Sequence, residues 1–124
     1  MQDINELKSE KPRQERVISH ALVEVRQSLW WPFGVHTAVL LDISPSGFKI
    51  EFTGKARCQS EDKLWMKIPL SPFGISAPEA ITIKVLVKWF DEKRMRIGGV
   101  FESLDNTSKL YLDQIIDRVK ENTL

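Results

Sequence analysis

The residues with the clearest chemical potential form the pattern Asp-x-Ser-x-x-Gly at Asp42, Ser44 and Gly47. An ionised carboxylate accepts hydrogen bonds, whereas a serine hydroxyl can donate or accept one. A glycine, which has no Cβ, lets another group approach the backbone closely. The same residues also build plain turns, in which Asp and Ser bond nearby backbone N–H groups and glycine supplies a positive φ. The pattern alone therefore leaves two interpretations open, a ligand site and a turn.

A second set of residues that could do chemistry is a basic cluster before the first apolar run, formed by Lys11, Arg13 and Arg16. The planar guanidinium of arginine forms bidentate hydrogen bonds with phosphate oxygens. The formal net charge of the 124-residue chain is only +1, so no global field draws the protein to nucleic acid or to a membrane. Any anion site must therefore be local.

Short strands are predicted to position these residues, because apolar and polar side chains alternate in several runs. The clearest alternation runs from Ile81 to Trp89, and it places Trp89 on the same apolar face as Val87. The pair Gly98-Gly99 indicates a β-bulge or a close backbone approach in the last strand. The predicted strands cover residues 17–25, 35–43, 47–52, 64–68, 81–89 and 94–102.

After the last strand the apolar period changes from two to that of a helix. Four residues at positions i, i+3, i+4 and i+7 share one helical face, and Asp105 or Asn106 can cap the helix start; the four are Leu112, Ile115, Ile116 and Val119. We therefore predict a mainly β domain over residues 13–122, an antiparallel barrel or sandwich followed by one helix. Residues 1–12 are polar and are expected to form a flexible N-terminal tail.

The Asp-x-Ser-x-x-Gly motif, the basic cluster and this order of elements resemble the PilZ domain family over roughly residues 13–120. The resemblance implies a six-stranded antiparallel PilZ-type β-barrel with a C-terminal α-helix. It also implies a bacterial, cytoplasmic receptor for the second messenger cyclic di-GMP. In the family this motif surrounds a guanine of the ligand, and that role carries over to Asp42, Ser44 and Gly47.

The basic cluster departs from the family pattern. PilZ domains usually carry Arg-x-x-x-Arg directly before the first strand, where the two arginines bind phosphates and the O6/N7 edge of guanine. Arg16 stands at the second position, but the first is Pro12. One hypothesis is that Arg13, assisted by Lys11, replaces the missing arginine and keeps cyclic di-GMP binding. The alternative is a degenerate PilZ-fold interaction module that does not bind the nucleotide.

The leading hypothesis is a receptor or adaptor whose N-terminal segment changes when one or two cyclic di-GMP molecules bind. It would then signal to a protein target in motility, adhesion or exopolysaccharide machinery. A small barrel that binds single-stranded nucleic acid is disfavoured by the near-neutral charge. The sequence has no catalytic constellation and no metal-ligand spacing, and no apolar run long enough to span a membrane. We therefore expect no enzymatic activity, cofactor, metal, nucleic-acid binding or membrane insertion.

Overall fold

The computed structural model describes residues 17–18, 21–27 and 34–122, and the predicted N-terminal tail lies outside these ranges. Over the described residues the chain forms seven strands and one α-helix, with a short 3₁₀ turn at Ser71–Phe73. The strands are β1 (Val17–Ile18), β2 (Leu22–Arg26), β3 (His36–Ile43), β4 (Gly47–Phe52), β5 (Lys63–Pro69), β6 (Ala80–Asp91) and β7 (Arg96–Phe101). The helix, α1, spans Asn106–Asn122.

Six of the strands close into an antiparallel barrel in the order β3, β2, β5, β6, β7, β4, with β4 pairing again with β3. β1 pairs with the end of β3 (Val17 opposite Ile43), and β2 pairs with its beginning (Leu22 opposite Val39). The two short strands therefore follow one edge of β3, where the sequence predicted one continuous strand. The predicted six-stranded antiparallel barrel with a C-terminal helix is confirmed.

The barrel is filled by the inward-facing residues of every long strand. In β6, for example, Ile83, Val85 and Val87 are buried, while the residues between them are partly or fully exposed. Full burial of one such aliphatic side chain contributes about 1.5–3 kcal/mol. Alternate burial along each strand is therefore the main reason why these segments are strands and why their pairing register is fixed.

Helix α1 packs against β1, β6 and the 3₁₀ turn. Its predicted apolar face is buried in the same core as the barrel residues, and its members are Leu112, Ile115, Ile116 and Val119. Asp105 caps the helix, since its Oδ1 accepts a hydrogen bond of 2.7 Å from the N–H of Ser108. The hydrogen bonds from Ser108 hold the pKa of the Asp105 carboxyl below its usual range.

One break in the strand pattern alters the surface of the barrel. The pairing of β6 with β7 shifts register between Val87 and Trp89, opposite Gly99 and Gly98, so Lys88 is the extra residue of a bulge. The alternation had placed Trp89 on the core face, but it is 43% exposed. That prediction was wrong because a bulge re-aims the side chains that follow it. The close approach predicted at Gly98-Gly99 is present, whereas the bulge lies on the partner strand.

Residues 17–18, 21–27 and 34–122 include no helix with the length and apolar character needed to cross a membrane. Within the same part of the chain, no three His, Cys, Asp or Glu side chains are grouped so that they could hold a metal ion.

Candidate functional site

The turn between β3 and β4 is organised by Ser44. Its N–H donates to the carbonyl of Gly47 at 2.9 Å, and its Oγ accepts from the N–H of Gly47 at 3.1 Å. Ser44 is only 2% exposed and is a buried polar residue of the barrel. The hydroxyl therefore satisfies a backbone donor that burial would otherwise leave without a partner, which makes it a structural element of the turn.

Gly47 begins β4, where it is buried and pairs with Val100 of β7. Among the described residues, the glycines with positive φ are Gly34 and Gly74. The turn interpretation had assigned a positive φ to Gly47, and the structure does not need one there. Gly47 is the first residue of β4, and β4 pairs with β3 along one edge and with β7 along the other.

Asp42 lies near the end of β3, two residues before Ser44, and its side chain is 14% exposed. In register it stands opposite Lys49 on β4 and Ile18 on β1. Its Oδ2 lies 3.5 Å from Nζ of Lys49. This pair is a partly screened surface ion pair, so it contributes about 1 kcal/mol or less to stability. The carboxylate is thus held at the barrel surface beside a cation.

A cavity of about 390 Å³ opens next to Asp42 on the outer surface of the barrel. Asp42 and Lys49 line it from β3 and β4, and Lys88 and Trp89 line it from the bulge of β6. β7 lies between β4 and β6 in the sheet, and Gly99 contributes to the lining there. The cavity therefore combines a carboxylate, two ammonium groups and an exposed aromatic ring.

The glycines in the middle of β7 allow close packing beside this cavity. The ring of Trp89 lies against Gly98 so closely that a Cβ at residue 98 would overlap the indole. Gly98 also pairs with Lys49 across the other edge of β7. A lysine, a glycine and a tryptophan therefore follow one another across three adjacent strands, with the aromatic ring lying over the glycine.

Sequence reasoning did not identify Lys49, Lys88 or Trp89 as site residues. The sequence feature that pointed to this region was the pair Gly98-Gly99, which indicated a close approach of another group to the backbone of β7. The two glycines do not reveal which side chain packs on them, since that depends on the pairing of β6 with β7. The structure also places two predicted site residues, Ser44 and Gly47, in the turn after Asp42 and outside the lining of this cavity.

The other predicted site residues, Lys11, Arg13 and Arg16, lie outside the described residues. The described chain nevertheless fixes where the preceding segment is attached. Val17, which follows Arg16 in the sequence, pairs with Ile43, the residue between Asp42 and Ser44. Val17, the first described residue, therefore lies beside the Asp-x-Ser-x-x-Gly turn.

A larger cavity, of about 710 Å³, lies near the opposite end of β3, where His36 and Cys58 contribute to its wall. It does not contain Asp42, Ser44 or Gly47. Burial, together with the negative charge of Asp62, raises the pKa of the Cys58 thiol to about 11. The thiol is therefore protonated at neutral pH and poorly nucleophilic. Because Asp42 of the motif lines the smaller cavity, we take that cavity as the candidate functional site.

A family model described as the PilZ domain matches residues 10–118 of the chain. Comparison with curated protein sequences gave no significant match. The fold is similar to that of the PilZ domain of YcgR from Escherichia coli, solved with c-di-GMP, with a TM-score of 0.67 and 11% identity over 92% of this chain and 95% of that one.

Two further solved structures share the fold. The inhibitor of motility MotI/DgrA of Bacillus subtilis gives a TM-score of 0.65 and 15% identity over 93% of this chain, which spans only 53% of the MotI/DgrA chain. The PilZ domain of CeSA from a cellulose-synthesizing bacterium gives a TM-score of 0.56 and 16% identity, covering 89% of this chain and 99% of that domain. At these identities the likeness establishes the fold alone.

Proposed function

The chain belongs to the PilZ domain family, and on that basis we propose that it is a receptor for cyclic di-GMP that signals to a protein target. The observation that carries the proposal is the cavity beside Asp42, where the carboxylate stands next to two lysines and an exposed tryptophan. A guanine nucleotide needs acceptors for the donor edge of its base, a flat surface for its ring and cations for its phosphates. This wall of the barrel offers all three.

In the proposed complex, the Asp42 carboxylate accepts hydrogen bonds from the N1–H and N2–H₂ groups of guanine. The exposed ring of Trp89 offers a surface on which a base can stack. Ser44 and Gly47 support the site by fixing the turn that follows Asp42. The arginine forks of Arg13 and Arg16 bind the phosphates and the O6/N7 edge of guanine, with Lys11 assisting.

We further propose that the N-terminal segment changes conformation when the nucleotide binds. The pairing of Val17 with Ile43 supports this, because it joins that segment to the barrel beside the site. A ligand held by Asp42 on the barrel and by Arg16 on the segment would link the two parts. The altered surface would then engage a target in the bacterial cytoplasm, within motility, adhesion or exopolysaccharide machinery. The protein acts as a ligand-binding receptor and performs no chemical reaction.

Isothermal titration of the purified protein with cyclic di-GMP near physiological salt tests the proposal. We expect saturable binding by the parent protein, and about 10- to 100-fold weaker binding by Asp42→Ala and Arg16→Ala, since each removes charge-assisted hydrogen bonds. Asp113→Ala and Arg57→Ala are matched controls, because both residues are exposed and neither lines the cavity beside Asp42. Cyclic di-AMP serves as the base control, because adenine lacks the N1–H donor that Asp42 would read.

The conformational change has its own readout. Trypsin cleaves after Arg13 and Arg16, and we expect saturating cyclic di-GMP to slow both cleavages while leaving cleavage after Arg57 unchanged. Equal cleavage at all three sites with and without ligand would contradict a change in the N-terminal segment, even if titration shows binding.

The second candidate function is a PilZ-fold interaction module that works without the nucleotide. Pro12, at the position of the first family arginine, favours it. No heat on titration, together with no binding at millimolar cyclic di-GMP by a second method such as NMR, would replace the receptor proposal with this one. Partner binding by such a module would be the same with and without nucleotide.

A further inference from the structure

Lys49 and Lys88 reach the same cavity from two strands that are not neighbours. Lys49 stands on β4, opposite Asp42 on one side and Gly98 on the other. Lys88 is the extra residue of the β6 bulge, and this bulge places it beside Trp89 in the lining. In a regular strand two consecutive residues face opposite sides of the sheet. Lys88 follows the buried Val87 and therefore faces outward, and the bulge turns Trp89 to the same outer face, so the wall carries two lysines and an aromatic ring.

Both lysines are only loosely engaged. Nζ of Lys49 lies 3.5 Å from Asp42, and Nζ of Lys88 lies 3.5 Å from Glu61. Strong charge-assisted hydrogen bonds are shorter, about 2.7–2.9 Å. The side chain of Lys88 is 48% exposed and that of Glu61 is 66% exposed, so water screens this pair. Little is lost if either ammonium group exchanges its carboxylate for a better acceptor.

A phosphate is the acceptor that fits these two groups. Each ammonium has three donors and no acceptor, and it acts as a compact point charge. It therefore gains most from an anionic oxygen. Between the strands that carry the two lysines, β7 contributes Gly99 and the apolar Val100 to the lining, so no charged side chain of β7 lines the cavity. Asp42, at the same wall, is negatively charged and suits the donor edge of the base. The two lysines are therefore the groups in this cavity that can bind the negatively charged phosphates of the ligand.

We propose that Lys49 and Lys88 bind the phosphates of the nucleotide from the barrel wall, and so compensate for the proline at position 12. This inference rests on the proposed function. Binding then exchanges partners: Lys49 moves from Asp42 to a phosphate oxygen. Lys88 exchanges Glu61 for the phosphate. Neither lysine belongs to the family motif.

Titration of Lys49→Gln and Lys88→Gln with cyclic di-GMP, at low and at high salt, tests this proposal. Each substitution removes one charge while keeping a long polar side chain. We expect each variant to bind about tenfold more weakly than the parent at low salt. We also expect their affinity to fall less than that of the parent when salt is raised, because one charged contact is gone. Lys49→Arg and Lys88→Arg should retain most of the affinity, since they retain the charge.

The salt dependence separates a phosphate contact from a purely structural role, in which Lys49 would only hold Asp42 in place. Lys67→Gln is the matched control, because Lys67 is an exposed lysine of β5 outside the cavity lining. Thermal unfolding checks that each variant is folded.

If the parent binds cyclic di-GMP and both glutamine variants match it, the lysine assignment is wrong and the receptor proposal stands. If Lys67→Gln weakens binding as much as the cavity variants, only the general charge of the barrel matters, and the assignment is again wrong. If the parent itself shows no binding, the receptor proposal fails and this inference fails with it.

Discussion

The indole ring of Trp89 packs on the backbone of Gly98, in the space that a side chain at residue 98 would occupy. Trp89 is nevertheless 43% exposed, and it lines the cavity beside Asp42. A glycine on one strand therefore holds an aromatic ring from the next strand at the barrel surface. The shape of the candidate site depends on this contact as much as on its charged residues.

The two central glycines of β7 should differ in how well they tolerate alanine. A Cβ at residue 99 would overlap the backbone carbonyl of Leu86, which has no room to move, whereas a Cβ at residue 98 meets a ring that can swing into solvent. We expect Gly99→Ala to lower the free energy of unfolding by about 3 kcal/mol and Gly98→Ala by about 1 kcal/mol. Urea denaturation followed by circular dichroism measures both values.

A double-mutant cycle tests the reason for the smaller value. In a Trp89→Ala background, Gly98→Ala should cost almost nothing, because the ring that it displaces is absent. Gly99→Ala should remain as costly as in the parent. If Gly98→Ala costs the same with and without the tryptophan, the contact between the two residues is not the cause.

Ser44 is expected to matter for stability as well as for any ligand. Its buried Oγ accepts the N–H of Gly47 at 3.1 Å, and Ser44→Ala leaves that donor unsatisfied. We expect a loss of about 1–2 kcal/mol in the free energy of unfolding, measured by urea denaturation. Ser76→Ala, at an exposed position, should change it by less than about 0.5 kcal/mol. Equal effects of the two substitutions would show that the turn does not depend on the Ser44 hydroxyl.

Arg118 links α1 to the loop after β5. Its Nη1 donates to the carbonyl of Phe73 at 3.0 Å. Because this bond is only partly buried, we expect Arg118→Ala to cost about 1 kcal/mol in thermal or urea unfolding. Lys109→Ala, which removes an exposed cation from the same helix, is the control. An Arg118→Ala protein as stable as the control would mean that the loop is held by its apolar residues alone.

The cap of α1 should make stability depend on pH in the acid range. Hydrogen bonds from Ser108 lower the pKa of Asp105 in the folded protein. The ionised cap therefore stabilises the fold above the unfolded pKa of about 3.9, and this contribution is lost as the pH falls through the lower folded value. Asp105→Asn removes the titration but keeps a capping oxygen.

Urea midpoints at pH 7, 4 and 3 measure this effect. We expect the stability of the parent relative to Asp105→Asn to be constant near neutral pH and to decline below about pH 4. A parallel decline of both proteins over the whole range would assign the acid sensitivity to other carboxyl groups.

The thiol of Cys58 should be slow to react in the folded protein. Burial is the larger cause of its raised pKa, about 11, and the charge of Asp62 adds to it. Since only the thiolate is nucleophilic, we expect Ellman's reagent at pH 8 to react roughly 100-fold more slowly with the folded protein than with the urea-unfolded one. Asp62→Asn should raise the folded rate modestly. Equal rates in the folded and unfolded protein would contradict a protected thiol.

The sequence alone determined the elements that depend on local periodicity. Strand β4 was predicted over residues 47–52 and is found there, because alternate side chains must face core and solvent. The buried face of α1 was also predicted, and Asp105 was one of the two predicted cap residues, since both features follow from spacing along one segment. A series of short strands with a closing helix followed from these, whereas the choice of a barrel over a sandwich came from the resemblance to the PilZ family.

The composition of the cavity was decided only by the tertiary structure. Strict alternation put Trp89 in the core, and its exposure results from a bulge whose position is set by pairing with Gly98 and Gly99 on the following strand. Similarly, Lys49 and Lys88 share a cavity because β4 and β6 both pair with β7. A periodic pattern reports the environment of each residue within its own strand, whereas the register between strands depends on contacts made across the whole barrel.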